Sequence, residues 1–143
     1  MSGYKELTIL IAEDDDGHAD LIQEGLRGAG VCNPFQRFCD GEEVWQFLQA
    51  HGGKEALNAA KCYLLLLDIN MPKMDGIEVL RRIKNDSELK DTPVMMLTTT
   101  DDPREVEECY KLGCNLYITK PVDFMKFAET LKRLGLFIQV VKI

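Results

Sequence analysis

Tyr63–Gly76 runs YLLLLDINMPKMDG. Tyr63 through Leu67 are continuously apolar and too few for a helix of ordinary length, which predicts a strand buried on both faces. Asp68 stands where that strand leaves the core. The carboxyl ends of strands in an open parallel sheet form the ligand crevice, so a carboxylate at this point is aimed at a site. Met71-Pro72 ends regular pairing, because proline has no N–H to donate. Asp75-Gly76 supplies a turn and the entry to a helix. The simpler role for Asp68 is to cap that turn, and the rest of the chain has to choose between the two.

Leu7–Ala12 (LTILIA) is a second buried-strand candidate and runs straight into Glu13-Asp14-Asp15-Asp16. Asp15 or Asp16 can cap a helix, and carboxylates favour the positive end of the helix dipole. That accounts for one or two of the acids, not for acids set immediately at the end of a buried strand. A helix follows with Ile22, Leu26 and Ala29 on one face. Gly25 inside it costs roughly 1 kcal/mol relative to alanine, and Gly28 and Gly30 end it. Asn33–Phe38 reads as an edge strand because of Pro34. Glu42–Gln49 is helical, with Val44, Phe47 and Leu48 inward and Trp45 partly exposed. Ala50–Lys61 is a longer connection with room for an extra helical turn.

Beyond the opening stretch, Ile77–Asn85 is a helix with Ile77, Leu80 and Ile83 inward and Arg81, Arg82 and Lys84 outward. Val94–Leu97 is a strand that ends on Thr98-Thr99-Thr100. Asp101-Asp102-Pro103 opens a helix whose stripe is Val106, Cys109, Tyr110 and Gly113. Asn115–Thr119 is a short strand ending at Lys120-Pro121. Phe124, Phe127, Leu131 and Leu134 mark a last helix, stopped by Gly135. Strands alternating with amphipathic helices make an α/β domain, and five βα units with right-handed crossovers predict a flavodoxin-like, doubly wound parallel sheet in the order 2-1-3-4-5.

The chain of 143 residues is expected to be one domain, with its core at about 7–134 and an apolar C-terminal extension over 135–143. A formal net charge of −7 and a pI near 4.8 argue against nucleic acid and against an anionic membrane surface as partners. The apolar runs are too short to span a bilayer. The start, MSGYKELTIL, lacks the pattern of a signal peptide, so a cytoplasmic location is expected. Cys32, Cys39, Cys62, Cys109 and Cys114 show no CxxC spacing. With only His18 and His51 beside them, they are expected to be reduced and mostly buried thiols rather than zinc ligands.

Each strand end carries a polar residue: Glu13 and Asp14 after the first, Asp68 after the third, Thr98 at the fourth, Lys120 after the fifth. Carboxylates at close range do not all stay ionised without compensation, and a hard divalent cation is the natural remedy. Mg²⁺ takes oxygen ligands and keeps several waters. Asp14 and Asp68 can each give one oxygen, the Asn70 carbonyl a third, and Glu13 can act through a bound water. The second Asp68 oxygen is then free to attack phosphorus and form an aspartyl phosphate. Mg²⁺ or Mn²⁺, the Lys120 ammonium and the Thr98 hydroxyl would each meet one phosphoryl oxygen. A lone lysine or threonine at a strand end usually does nothing of the kind; the joint occurrence in this order is what is specific.

ILIAEDD, LLLLDINMPKMDG, VMMLTTT and YITKP together resemble a receiver domain of a two-component response regulator, from about Leu7 to Leu134. Within that family the chain is most similar to the single-domain regulators encoded beside bacterial phytochrome kinases. The cues are the DxNxPxxDG core, the NDSELKDTPVxxLTT segment and the apolar tail. The resemblance implies Asp68 as phosphoacceptor, Glu13 and Asp14 as the acidic pair, Asn70 as carbonyl ligand, Thr98 as switch hydroxyl and Lys120 as the invariant-type lysine. It also implies Tyr117 as the switch aromatic, turning inward as Thr98 is drawn toward the phosphoryl group, and a cis Lys120–Pro121 bond. Ala12 and Thr99 depart from the commoner residues there, and Asn70 and Thr100 lie where the family varies its dephosphorylation rate.

The donor implied is a phosphohistidine on a histidine kinase, by the narrower resemblance a bacteriophytochrome, and the outlet a phosphotransfer protein or protein target reached through Pro103–Leu134. The chain is then a signalling phosphoacceptor that catalyses only its own phosphoryl transfer and dephosphorylation, not an enzyme in the usual sense. LFIQVVKI after Gly135 is expected either to support a homodimer near the switch face or to fold back on its own domain. An aspartate-nucleophile phosphatase would need a second Asp where Asn70 stands. A flavin module would need a Gly- or Ser/Thr-rich first loop. A degenerate receiver acting only as a binding module would be expected to lack Asp14, Asp68, Thr98 or Lys120, and all four are present.

Overall fold

In the computed structural model, which describes residues 6–52 and 61–140, the apolar run 63–67 lies in β3 (Lys61–Leu67), the middle strand of five. The chain before it forms β1 (Glu6–Ala12), α1 (Asp16–Gly28), β2 (Phe35–Phe38) and α2 (Gly41–His51). After it come α3 (Gly76–Asn85), β4 (Val94–Thr98), α4 (Pro103–Leu112), β5 (Leu116–Thr119) and α5 (Phe124–Val140). The strands are all parallel and ordered β2-β1-β3-β4-β5, the expected flavodoxin-like order. The expected helical turn in the connection before β3 falls on 53–60, outside the described residues.

Register does the positioning. Ala12 pairs with Leu67, Leu67 with Met96 and Met96 with Tyr117, one row across four strands. The chain therefore leaves the sheet at Glu13 and Asp68 side by side, while Thr98 closes β4 opposite Thr119, one residue before Lys120. β2 is the edge strand that Pro34 called for, and it begins one residue after that proline.

Successive strand side chains face opposite ways. Leu65 and Leu67 join Leu10, Met96, Val44, Val79 and Leu80 in one buried cluster. Leu64 and Leu66 join Ile9, Ile11, Met95 and Leu97, covered by Ile22 and Leu26 of α1 and by Phe127, Leu131, Leu134 and Ile138 of α5. A strand with a full apolar layer on each side needs continuous hydrophobicity, as the Tyr63–Leu67 run supplies.

The last helix departs from expectation. It does not stop at Gly135 but continues to Val140. A Cβ at Gly135 would stand 2.6 Å from the Ala29 Cβ, and one at Gly25 2.8 Å from the Leu131 Cβ. Both glycines exist to let α1 and α5 cross closely. Their cost in helix propensity, about 1 kcal/mol each, is outweighed by the apolar area that the close crossing keeps from water. The tail is divided by this helix: Ile138 is buried and Gln139 donates to the Ala29 carbonyl at 2.7 Å, while Leu136 and Phe137 are 54% and 47% exposed. Phe124, expected to face inward, is 61% exposed, because the buried stripe of α5 starts at Phe127.

Of the expected α4 stripe only Cys109 is buried; Tyr110 is exposed and its hydroxyl accepts from the Tyr117 N–H at 3.0 Å. Cys109 and Cys114 are buried, but Cys32 and Cys39 are exposed and Cys62 is half-buried, so the thiols are less buried than their hydrophobic character suggests. Burial pushes the Cys109 thiol up to about 12, and the Tyr117 phenol likewise to about 12. Both groups are neutral when protonated, and unfolding returns them toward 9.0 and 10.0. The stability they contribute is complete below their unfolded values and is lost as pH rises toward their folded ones. The urea midpoint is therefore expected to fall steadily from about pH 9 upward, and a midpoint that stays level through that window would refute it. No helix among the described residues is long and apolar enough to cross a membrane.

Candidate active site

Asp68 follows β3 directly, and its N–H donates to the Ala12 carbonyl at 3.1 Å, so the sheet ladder itself fixes where its side chain starts. The carboxylate is buried. Its Oδ1 accepts from the Asn70 N–H at 3.3 Å. It does not cap the following helix: Asp75 does, accepting from the Glu78 N–H at 2.9 Å. Between them the loop folds back on itself, with the Gly76 N–H on the Ile69 carbonyl at 2.9 Å and Ile69 and Met71 buried as anchors. A Cβ on Gly76 would meet the Asp68 carbonyl oxygen at 2.1 Å, which explains the glycine in DINMPKMDG.

The acidic loop after β1 reaches the same place. Glu13, Asp14 and Asp68 offer oxygen atoms that lie within 4.8 Å of one another. Glu13 is buried, and burial pushes its carboxyl up to about 7 against the opposing pull of Lys120. Both its oxygens are engaged, Oε1 by the Lys120 ammonium and Oε2 by the Asp15 N–H at 3.1 Å. Asp14 is exposed. Asp15, not Asp16, is the N-cap of α1, accepting from the His18 N–H at 2.9 Å. Three hard oxygen donors facing one ammonium leave an excess of negative charge, and the exposed Asp14 edge leaves room for water ligands. This donor set fits a divalent cation of the Mg²⁺ or Mn²⁺ kind.

Lys120 is buried and reaches across the sheet from β5, with Nζ 3.2 Å from Asp68 Oδ2 and in contact with Glu13 Oε1. Its backbone N–H donates to the Thr98 carbonyl at 2.7 Å. The Lys120–Pro121 bond is trans, not cis as the resemblance implied. The two isomers of an X-Pro bond differ by only about 0.5–1 kcal/mol, so context chooses between them.

Thr98 is fully buried, and its hydroxyl accepts from the Thr100 N–H at 3.4 Å. Tyr117 is half-buried and donates its hydroxyl proton to the Thr100 carbonyl at 2.6 Å. Asn70, exposed, donates its side-chain amide to the Thr100 hydroxyl at 3.1 Å. The structure thus gathers Glu13, Asp14, Asp68 and Lys120 into one cluster. Thr98 and Tyr117 meet instead around Thr100, on the neighbouring loop, and Asn70 joins the two groups, its N–H on Asp68 and its side-chain amide on the Thr100 hydroxyl.

Two contributors had no clear sequence signal. Arg37, on the edge strand β2, donates Nε and Nη2 to the Glu13 carbonyl at 3.0 and 2.8 Å and Nη1 to Asp16 at 2.6 Å, pinning the acidic loop. His18, in the first turn of α1, places Nδ1 3.2 Å from Lys120 Nζ. Its position three residues past the cap was the only hint.

The response regulator receiver domain family matches residues 9–132 of the chain. The chain is 39% identical over 112 residues to the response regulator Rcp1 of Synechocystis sp., covering 78% of this chain and 75% of that one. A solved Mn(2+)-bound form of Rcp1 superposes with a TM-score of 0.82 at 30% identity, covering 95% of this chain and 97% of that one. A receiver domain from Rhodospirillum rubrum superposes with a TM-score of 0.86 at 41% identity, covering 95% and 96%. The phosphorylated cyanobacterial phytochrome response regulator RcpA does so with 0.83 at 34% identity, covering 99% and 98%. This chain belongs to the response regulator receiver family. Members of that family are signalling proteins that work with histidine kinases, not enzymes in the usual sense.

Proposed function

We propose that the chain is a stand-alone response regulator whose Asp68 accepts a phosphoryl group from the phosphohistidine of a histidine kinase. The observation that carries this reading is the buried Asp68 carboxylate, held against Lys120 at the edge of a three-carboxylate cluster. An Asp68 oxygen attacks phosphorus as the P–N bond breaks. The bonding pair stays on the imidazole nitrogen, and the ring, protonated on its other nitrogen, leaves neutral. The Lys120 ammonium stabilises charge on the transferring oxygens. A divalent cation, held by Asp14 and Asp68 with the Asn70 carbonyl and a Glu13-bound water, would neutralise further phosphoryl charge.

The switch is a population shift. A phosphoryl oxygen draws the Thr98 hydroxyl away from the Thr100 N–H, and the loop holding Thr100 is the one on which Tyr117 rests. The remodelled face is α4, β5 and α5. The likeness to the cyanobacterial phytochrome response regulator RcpA supports a bacteriophytochrome as kinase. The reading includes a cytoplasmic setting and a phosphotransfer protein or protein target downstream.

Incubation with a small phosphoryl donor and Mg²⁺, read by intact mass, is expected to add one phosphoryl group, and Asp68→Asn to abolish the gain. Labelling that persists in Asp68→Asn removes Asp68 from the role. The reading extends to a homodimer through the exposed Leu136 and Phe137. Sedimentation of the whole chain tests it, with a species of twice the chain mass expected; a monomer at every concentration refutes the dimer.

A further inference from the structure

An ammonium has three protons and no lone pair. Lys120 places its Nζ within hydrogen-bond reach of three side chains: Glu13 Oε1, Asp68 Oδ2 and His18 Nδ1. Because the ammonium can only donate, Nδ1 of His18 is the acceptor and the ring proton of the neutral imidazole lies on Nε2. The placement of His18 is built in. Glu13 Oε2 holds the Asp15 N–H, Asp15 Oδ1 holds the His18 N–H, and His18 Nδ1 returns to the same lysine that Glu13 Oε1 binds. That closed circuit of hydrogen bonds fixes the helix start relative to the ammonium. The ring also stands edge-on to Phe127 of α5, with centroids 6.0 Å apart at 88°, so its plane is set from the other side.

We propose that His18 is a positioning residue for Lys120, an inference that rests on the phosphoacceptor reading of Asp68. Glu13 and Asp68 are buried, and their side-chain oxygens between them draw the ammonium toward the interior. His18 is half-buried and is the least buried of the three acceptors. Its lone pair keeps the third N–H turned toward the mouth, where a phosphoryl oxygen arrives. Two carboxylates hold an ammonium more strongly than a neutral ring nitrogen does. His18 is therefore the partner that Lys120 exchanges for the phosphoryl oxygen. When it lets go, the ring is left with its contact on α5, which carries the event to the α1–α5 crossing by a route separate from Thr98 and Tyr117.

The test compares the wild-type chain with His18→Leu and His18→Asn, using phosphoramidate and Mg²⁺ and reading the labelling rate by intact mass. Leucine keeps an apolar group against Phe127 but has no acceptor; asparagine restores one near the place of Nδ1. The rate is expected to fall about tenfold in His18→Leu and to return to within about threefold in His18→Asn. A leucine variant as fast as wild type, or an asparagine variant no faster than leucine, overturns the proposal. If His18→Leu fails to fold, ¹⁵N spectra of the wild-type imidazole on adding beryllofluoride and Mg²⁺ decide: a shifted Nδ1 resonance is expected, and an unmoved one overturns it. Wild-type protein that takes no label at all brings down the phosphoacceptor reading, and this one with it.

Discussion

Lys120→Met is expected to cost the fold about 3–5 kcal/mol and to abolish phosphorylation of Asp68. The ammonium is buried between Glu13 and Asp68, and both carboxylates are themselves buried. Removing one member of a buried ionic group leaves the others with their desolvation penalty and without its compensation. Methionine fills the volume, so a packing defect contributes little. The chemical loss is separate: no other cation contacts Asp68 among the described residues, and charge on the transferring oxygens loses its protein partner. Urea unfolding by circular dichroism measures the first effect and intact mass the second. An unchanged urea midpoint would mean that the three groups do not depend on one another as their geometry requires.

Gly76→Ala should also damage both stability and chemistry, by a different route. The added Cβ would stand 2.1 Å from the Asp68 carbonyl oxygen and 2.9 Å from the Ile69 Cα. These are backbone atoms, so no rotamer change relieves the clash and the loop has to move. Alanine recovers about 1 kcal/mol of helix propensity, but overpacking of this kind costs typically ~1–3 kcal/mol and here belongs at the upper end. The displaced residue is Asp68, the proposed phosphoacceptor, and a shift near 1 Å at a reacting group is worth about 100-fold in rate. A variant that unfolds at the wild-type urea concentration and labels at the wild-type rate would show slack in the loop.

Much of this was legible beforehand because it is written locally. The run Tyr63–Leu67 announces a two-faced buried strand, and Asp68, Thr98 and Lys120 stand at the ends of strands whose parallel pairing brings those ends to one edge. Helix periodicity was right where a stripe meets the sheet, as at Leu80 and Ile83, and wrong where the helix end leaves it, as at Phe124 and Tyr110. Glycine was the most misleading residue. Gly25 looked like a local cost and Gly135 like a stop, since a bare backbone gives no sign that another helix will lie against it. Gly76, set between an aspartate and an apolar helix, was recognisable as a turn, but the carbonyl it makes room for was not.

What the chain carried in its one-dimensional order was therefore the layer plan and the chemical type of each strand end. Contacts that side chains make with groups far away in sequence belonged to the folded molecule alone. Arg37 holding the Glu13 carbonyl, His18 meeting Lys120, and Tyr117 resting on Thr100 span 24, 102 and 17 positions. Burial depends on how often apolar residues recur, which neighbours along the chain reveal. A hydrogen bond depends on two groups arriving at about 3 Å with the right orientation, and only strand register and helix crossing fix that.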